Sequence, residues 1–111
     1  MLEVSSAKGV FSNAEAKALS GYLSLIPSVK SRYYTEEVRR RLAEIIKAVS
    51  EDRYTAAEVK ELQHIAKLIE MEWRETGRED LLDYYVKLTM LIAILFAEGK
   101  LPLEEYLRGW L

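Results

Sequence analysis

The sequence predicts an all-α fold, a bundle of four main helices followed by a short C-terminal one. Three observations carry this. Apolar residues recur at three- and four-residue intervals in four segments, and no stretch alternates apolar and polar residues convincingly. Two of those segments open on the spacing by which a hydroxyl and a carboxylate three residues later satisfy each other's orphan backbone amides. Finally, Val86 to Ala97, VKLTMLIAILFA, is apolar on nearly every side once Lys87 and Thr89 are set aside, the pattern of a helix enclosed by other helices or by lipid. Crossing a bilayer takes about 20 apolar residues, and Glu98, Gly99 and Lys100 close this run far short of that. We therefore expect a core helix that forms the hub of a bundle.

The first eleven residues read as an irregular segment. A helix then starts at Ser12 with Glu15 as its capping partner, carries Leu19, Tyr22, Leu23 and Ile26 on one face, and is stopped by Pro27. Gly21 weakens it by about 1 kcal/mol relative to alanine and is expected to mark close packing. In the second segment Thr35 caps, Glu36 and Glu37 meet the positive end of the helix dipole, and Val38, Leu42, Ile45, Ile46 and Val49 form one stripe ending near Glu51 or Asp52. The third opens on Thr55 and Glu58, with Tyr54 placed to staple against Val59. Its stripe is Val59, Leu62, Ala66, Ile69 and Trp73, and Gly77 supplies the left-handed residue that closes it. The fourth starts around Arg78 to Asp80 and runs to Gly99. After Pro102 a short helix from about Leu103 to Arg108 brings Leu103, Tyr106, Leu107, Trp110 and Leu111 as apolar material. Such a terminus docks on its own bundle or on a neighbouring chain.

At 111 residues the chain fits one domain able to bury a core without staples. With no cysteine, disulfides, thiolate metal sites and cysteine nucleophiles are excluded. A net charge of -2 with 31% charged residues describes a surface dense in both signs, so any basic footprint is local. Asn13 and Gln63 are the only amides, which together with abundant Glu, Lys and Arg fits a heat-adapted, archaeal type of composition. The N-terminus lacks the apolar core of a secretory signal, and we expect a cytoplasmic protein.

The chemistry-bearing patterns are few. Glu61 and His64 have the spacing by which helix bundles supply a carboxylate-bridged metal centre. That chemistry needs the motif twice, and His64 is the only histidine, so no metal and no cofactor are expected. Acidic residues cluster at helix starts, where the dipole accounts for them, the serines have no histidine-centred relay, and phosphate-cradling glycine motifs are absent. The chain is expected to be non-catalytic.

Two local basic regions are the functional leads. From Ser28 to Arg41 the chain holds Lys30, Arg32, Arg39, Arg40 and Arg41 with Tyr33 and Tyr34 interleaved, the mixture of cations and rings that suits single-stranded nucleic acid. Glu36 to Arg40 and Glu37 to Arg41 have ion-pair spacing, which leaves Lys30, Arg32, Arg39 and Tyr33 as candidates. On the third helix Lys60, His64, Lys67 and Arg74 share a ridge opposite the apolar stripe, able to follow a phosphate backbone without reading sequence. The bland reading of that ridge is a solvated face in which Glu70 pairs with Arg74. Among the aromatics, Tyr84 and Tyr85 cannot both face one core, and Tyr106, Trp110 and Leu111 are candidate partner contacts.

Through RYYTEEVRRRLAEII, KELQHIAKLIE and KLTMLIAILFAEG, the chain resembles the small all-helical subunits of archaeal CRISPR effector complexes. The likeness lies in the helical plan and carries no diagnostic motif; small proteins of archaeal viruses are similar in the same way. The resemblance implies a subunit that stacks on other protein subunits and steadies a single strand or an RNA–DNA duplex through basic residues. The alternative is a self-associating or partner-binding helical regulator with no nucleic-acid role. Salt separates the two, because phosphate binding weakens steeply as salt rises.

Overall fold

A computed structural model describes residues 15–28, 31–99 and 101–110. The proposed cap at Ser12, the irregular segment 1–11, and the candidates Lys30 and Leu111 lie outside the described residues. The described chain is helical throughout, with no strand: α1 over residues 15–23, α2 Glu36–Ser50, α3 Ala56–Thr76, α4 Glu79–Ala97 and α5 Leu103–Trp110.

Local chemistry sets most boundaries. Thr35 Oγ1 accepts from the Val38 amide at 3.2 Å to open α2. Thr55 and Glu58 form the reciprocal capping box of α3, and Gly77 closes that helix with φ +70°. Helix α1 ends four residues before Pro27, in a turn where Ser24 Oγ donates to the Gly21 carbonyl at 2.7 Å. The terminal helix runs two residues further than expected, to Trp110.

Two packing expectations are corrected. The element that touches most of the others is α3, which packs against α2, α4 and α5. Helix α4 is enclosed on one side only. Leu81, Tyr84, Leu88, Leu91, Ile92 and Leu95 are buried, whereas Val86 is 44% and Met90 48% exposed. Helix α3 covers the inner half, while α1 and α5 meet α4 at its flanks through Tyr22–Asp83 and the Phe96–Tyr106 stack, so an apolar sequence on every side does not become a helix buried on every side.

In α1 the buried face is Ala16, Leu19, Ser20 and Leu23. Tyr22, expected on that face, is exposed, and its hydroxyl bonds to Asp83 of α4. An added Cβ at Gly21 would meet nothing within 4 Å, so no close packing explains that glycine among the described residues. Beneath α1, the Tyr84 hydroxyl donates to the Leu23 carbonyl at 2.5 Å in a buried bond. Tyr34 is fully buried and donates to the Pro27 carbonyl at 2.9 Å; burial pushes both phenols well above their ordinary titration range.

Candidate nucleic-acid interface

The basic ridge of α3 does not stand alone in solvent. Lys60, Gln63, His64 and Lys67 of α3 face Glu105, Arg108 and Gly109 of α5 across a groove of about 320 Å³. The helical rise places Lys60 and Lys67 about 10 Å apart along the floor. Arg108 forms part of the opposite wall, a cation from a second element that periodicity along α3 does not reveal.

Three contacts fix the groove. Lys60 forms an ion pair with Glu105. Gln63, only 1% exposed, donates from Nε2 to the Tyr106 carbonyl at 2.8 Å. Gly109 lies so close that a Cβ there would overlap the Gln63 amide, which is why a glycine stands inside this helix. Arg108 is held by Glu104 one turn earlier, at 2.7 Å. His64 and Lys67 carry no hydrogen bond or ion pair among the described residues. The groove therefore gathers Lys60, Lys67, Arg108 and His64 around one acid, Glu105, which is a setting for an anion.

The other candidates are distributed differently. Arg74 lies two turns beyond Lys67, with Glu70 at 3.0 Å and its guanidinium over the Trp73 ring at 5.8 Å. Arg32 stacks over Tyr33 at 5.1 Å and reaches Glu75 in the last turn of α3 at 3.4 Å. Tyr33, and after it Glu75, raises the Arg32 pKa. Arg39 is largely turned inward: it donates to Ser28 Oγ at 3.3 Å and leaves Nε buried without a partner. Arg32 and Arg39 are thus not brought into the α3–α5 groove. The expected pairs Glu36 to Arg40 and Glu37 to Arg41 do not form. Arg39 lies 3.9 Å from Glu36, Arg40 has no ion pair among the described residues, and Arg41 grips Glu61 of α3 with bonds of 2.8 and 2.5 Å.

That grip consumes the carboxylate of the Glu61 and His64 spacing. Hydrogen bonding from Arg41 holds the Glu61 carboxyl below the usual range. Among the described residues no three His, Asp or Glu side chains group as metal ligands, and no helix is long and apolar enough to cross a membrane.

The partner-contact candidates lie beside the groove on α5. Tyr106 stacks on Phe96 of α4 with ring centroids 4.3 Å apart, and Trp110 meets Tyr106 edge-on at 6.1 Å. Neither is an exposed anchor; both help seat α5 on α4. The exposed residues are their neighbours Leu103 at 58% and Leu107 at 53%, which lie on the same helical face at four-residue spacing. No protein-family model, curated protein or solved structure matches this chain.

Proposed function

We propose that the chain is a non-catalytic helical subunit of a cytoplasmic nucleoprotein assembly, and that its α3–α5 groove seats a stretch of nucleic-acid backbone. The observation that carries the reading is the convergence of Lys60, His64, Lys67 and Arg108 from two helices on one groove, where His64 and Lys67 have no ion pair among the described residues. The resemblance to small CRISPR effector subunits supplies a biological setting of the same kind, with a single strand or an RNA–DNA duplex as the polyanion.

Binding by so few cations is weak and sensitive to salt. Neutralising two or three phosphates of a single strand gives a slope of about -1.5 to -2 in log affinity against log salt, or roughly a tenfold loss between 50 and 200 mM. The test is fluorescence anisotropy with a labelled single-stranded RNA at both salt concentrations, using the native chain and Lys67→Glu with Arg108→Glu. Binding at 50 mM that shows this slope and disappears in the double variant supports the reading. Absence of binding at 50 mM, or equal binding by the variant, rejects it.

A second reading, a protein that acts through protein contacts alone, is favoured by a different observation, the exposed apolar side chains of α4 and α5.

A further inference from the structure

We infer that the outer face of α4 is the contact between two copies of this chain, joined antiparallel about a two-fold axis. The inference is independent of the nucleic-acid groove, which uses α3 and the opposite side of α5.

Val86, Met90, Ala93 and Ala97 recur at three- and four-residue spacing and form one outward stripe on α4. No acid or base interrupts it. Lys87, the only charge from Val86 to Ala97, lies about 90° round the helix from the centre of the stripe and is tied to Asp83 at 2.7 Å. Alongside the stripe, Thr89, Met90 and Ala93 share a shallow apolar trough with Tyr106 and Trp110 of α5. Leu103 and Leu107 of α5 are exposed as well.

The order of sizes along the stripe selects the occupant. Two large residues are followed by two small ones, so reversing a second copy about a point between Leu91 and Ile92 sets Val86 against Ala97 and Met90 against Ala93, twice each. Large meets small at all four positions, and the alanines let the two helix axes approach closely. A two-fold contact requires this self-complementarity; an unrelated partner does not. Antiparallel packing also opposes the helix dipoles favourably.

The area agrees with a weak dimer. The stripe is about 17 Å long and, with α5, about 20 Å wide. That is about 340 Å² per protomer and about 700 Å² in all, below the roughly 1,000 Å² of a stable interface and in the range of a transient one. Dimerisation is therefore expected to be weak and concentration-dependent.

The absence of cysteine makes the arrangement directly testable on the full chain. In the antiparallel pair, position 86 of one copy meets position 97 of the other. Positions 86 and 86 lie about 16 Å apart along the axis, beyond the 4.4–6.8 Å Cα separation of a disulfide. Under mild oxidation an equimolar mixture of Val86→Cys and Ala97→Cys chains should cross-link as the heterodimer, and neither variant should cross-link alone. Sedimentation from 1 to 200 µM should show native monomers giving way to dimers, with Met90→Glu remaining monomeric and helical by circular dichroism. A native chain that is monomeric at 200 µM overturns the inference. So does a dimer unaffected by Met90→Glu, a mixture that fails to cross-link, or a single variant that links as well as the mixture.

Discussion

Replacing Gly109 with alanine should destabilise this protein, although alanine is the better helix former. Gly109 lies inside α5, where on propensity alone the exchange would stabilise by about 0.5–1 kcal/mol. The new Cβ, however, would overlap the side-chain amide of Gln63 and lie 2.7 Å from its Nε2. Gln63 is buried and donates to the Tyr106 carbonyl, so it can make room only by surrendering that bond or by letting α5 rise from α3. Losing a buried hydrogen bond costs about 1–3 kcal/mol, which offsets or exceeds the propensity gain and leaves a net loss of up to about 2 kcal/mol. For a domain of this size the melting temperature should fall, by up to roughly 10 °C, read by circular dichroism. Adding Gln63→Ala to the Gly109→Ala chain removes the overlap, so the two substitutions should couple by more than about 0.5 kcal/mol. A Gly109→Ala protein that melts higher than the native chain would refute the packing argument.

Three further outcomes follow from other contacts. Tyr84→Phe deletes the buried bond to the Leu23 carbonyl at a cost of about 1–2 kcal/mol, and the urea midpoint should fall by about 1 M. Leu88→Ala opens a cavity at a fully buried position and should cost about 2–5 kcal/mol, measured by the same titration. Acid should also destabilise: hydrogen bonds from Arg41, Arg78 and Lys87 hold the Glu61, Asp80 and Asp83 carboxyls below their ordinary range. Each contribution is whole above the ordinary carboxylate value near 4 and is lost as pH falls through the lower folded value. Melting temperature should therefore decline below about pH 4, and Arg41→Gln should flatten part of that decline; an unchanged profile in Arg41→Gln would deny the Glu61 contribution.

What the sequence disclosed was decided within a few residues of itself. Thr35, the Thr55 and Glu58 pair, and Gly77 act on backbone groups of their own helix ends, so their roles were readable from spacing. Most of the stripes of α2 and α3 are buried as periodicity requires, with Val38 and Trp73 partly buried at their ends. Misreadings arose where a second element decided the result. Arg41 has Glu37 and Glu44 within a turn in sequence and Glu61 across the helices; it keeps Glu44 at 3.1 Å and makes its bidentate bond to Glu61, leaving Glu37 aside. Arg108 has an ordinary partner in Glu104, so nothing local signals that it faces Lys60 and Lys67. In α4, hydropathy describes what a side chain tolerates rather than which side the neighbours occupy, and one half remained uncovered. Gly109 carries a readable signal, since a glycine inside a short helix asks for a close neighbour.

Helix α5 belongs to both proposed surfaces, and that makes their independence testable. It supplies Arg108 to the groove and Leu103 and Leu107 to the exposed apolar face, while its seat depends on the Gln63 bond and the Phe96–Tyr106 stack. A substitution that merely unseats α5 should weaken RNA retention and self-association together, and Gly109→Ala is such a substitution. Lys67→Glu changes only the α3 wall of the groove, so it should reduce RNA affinity while sedimentation remains native. Met90→Glu changes only α4, so it should abolish the dimer while the salt-dependent anisotropy persists at monomer concentrations. If Lys67→Glu and Met90→Glu instead each depress both properties, the two surfaces are one coupled site, and the assignment of separate roles to α3 and α4 fails.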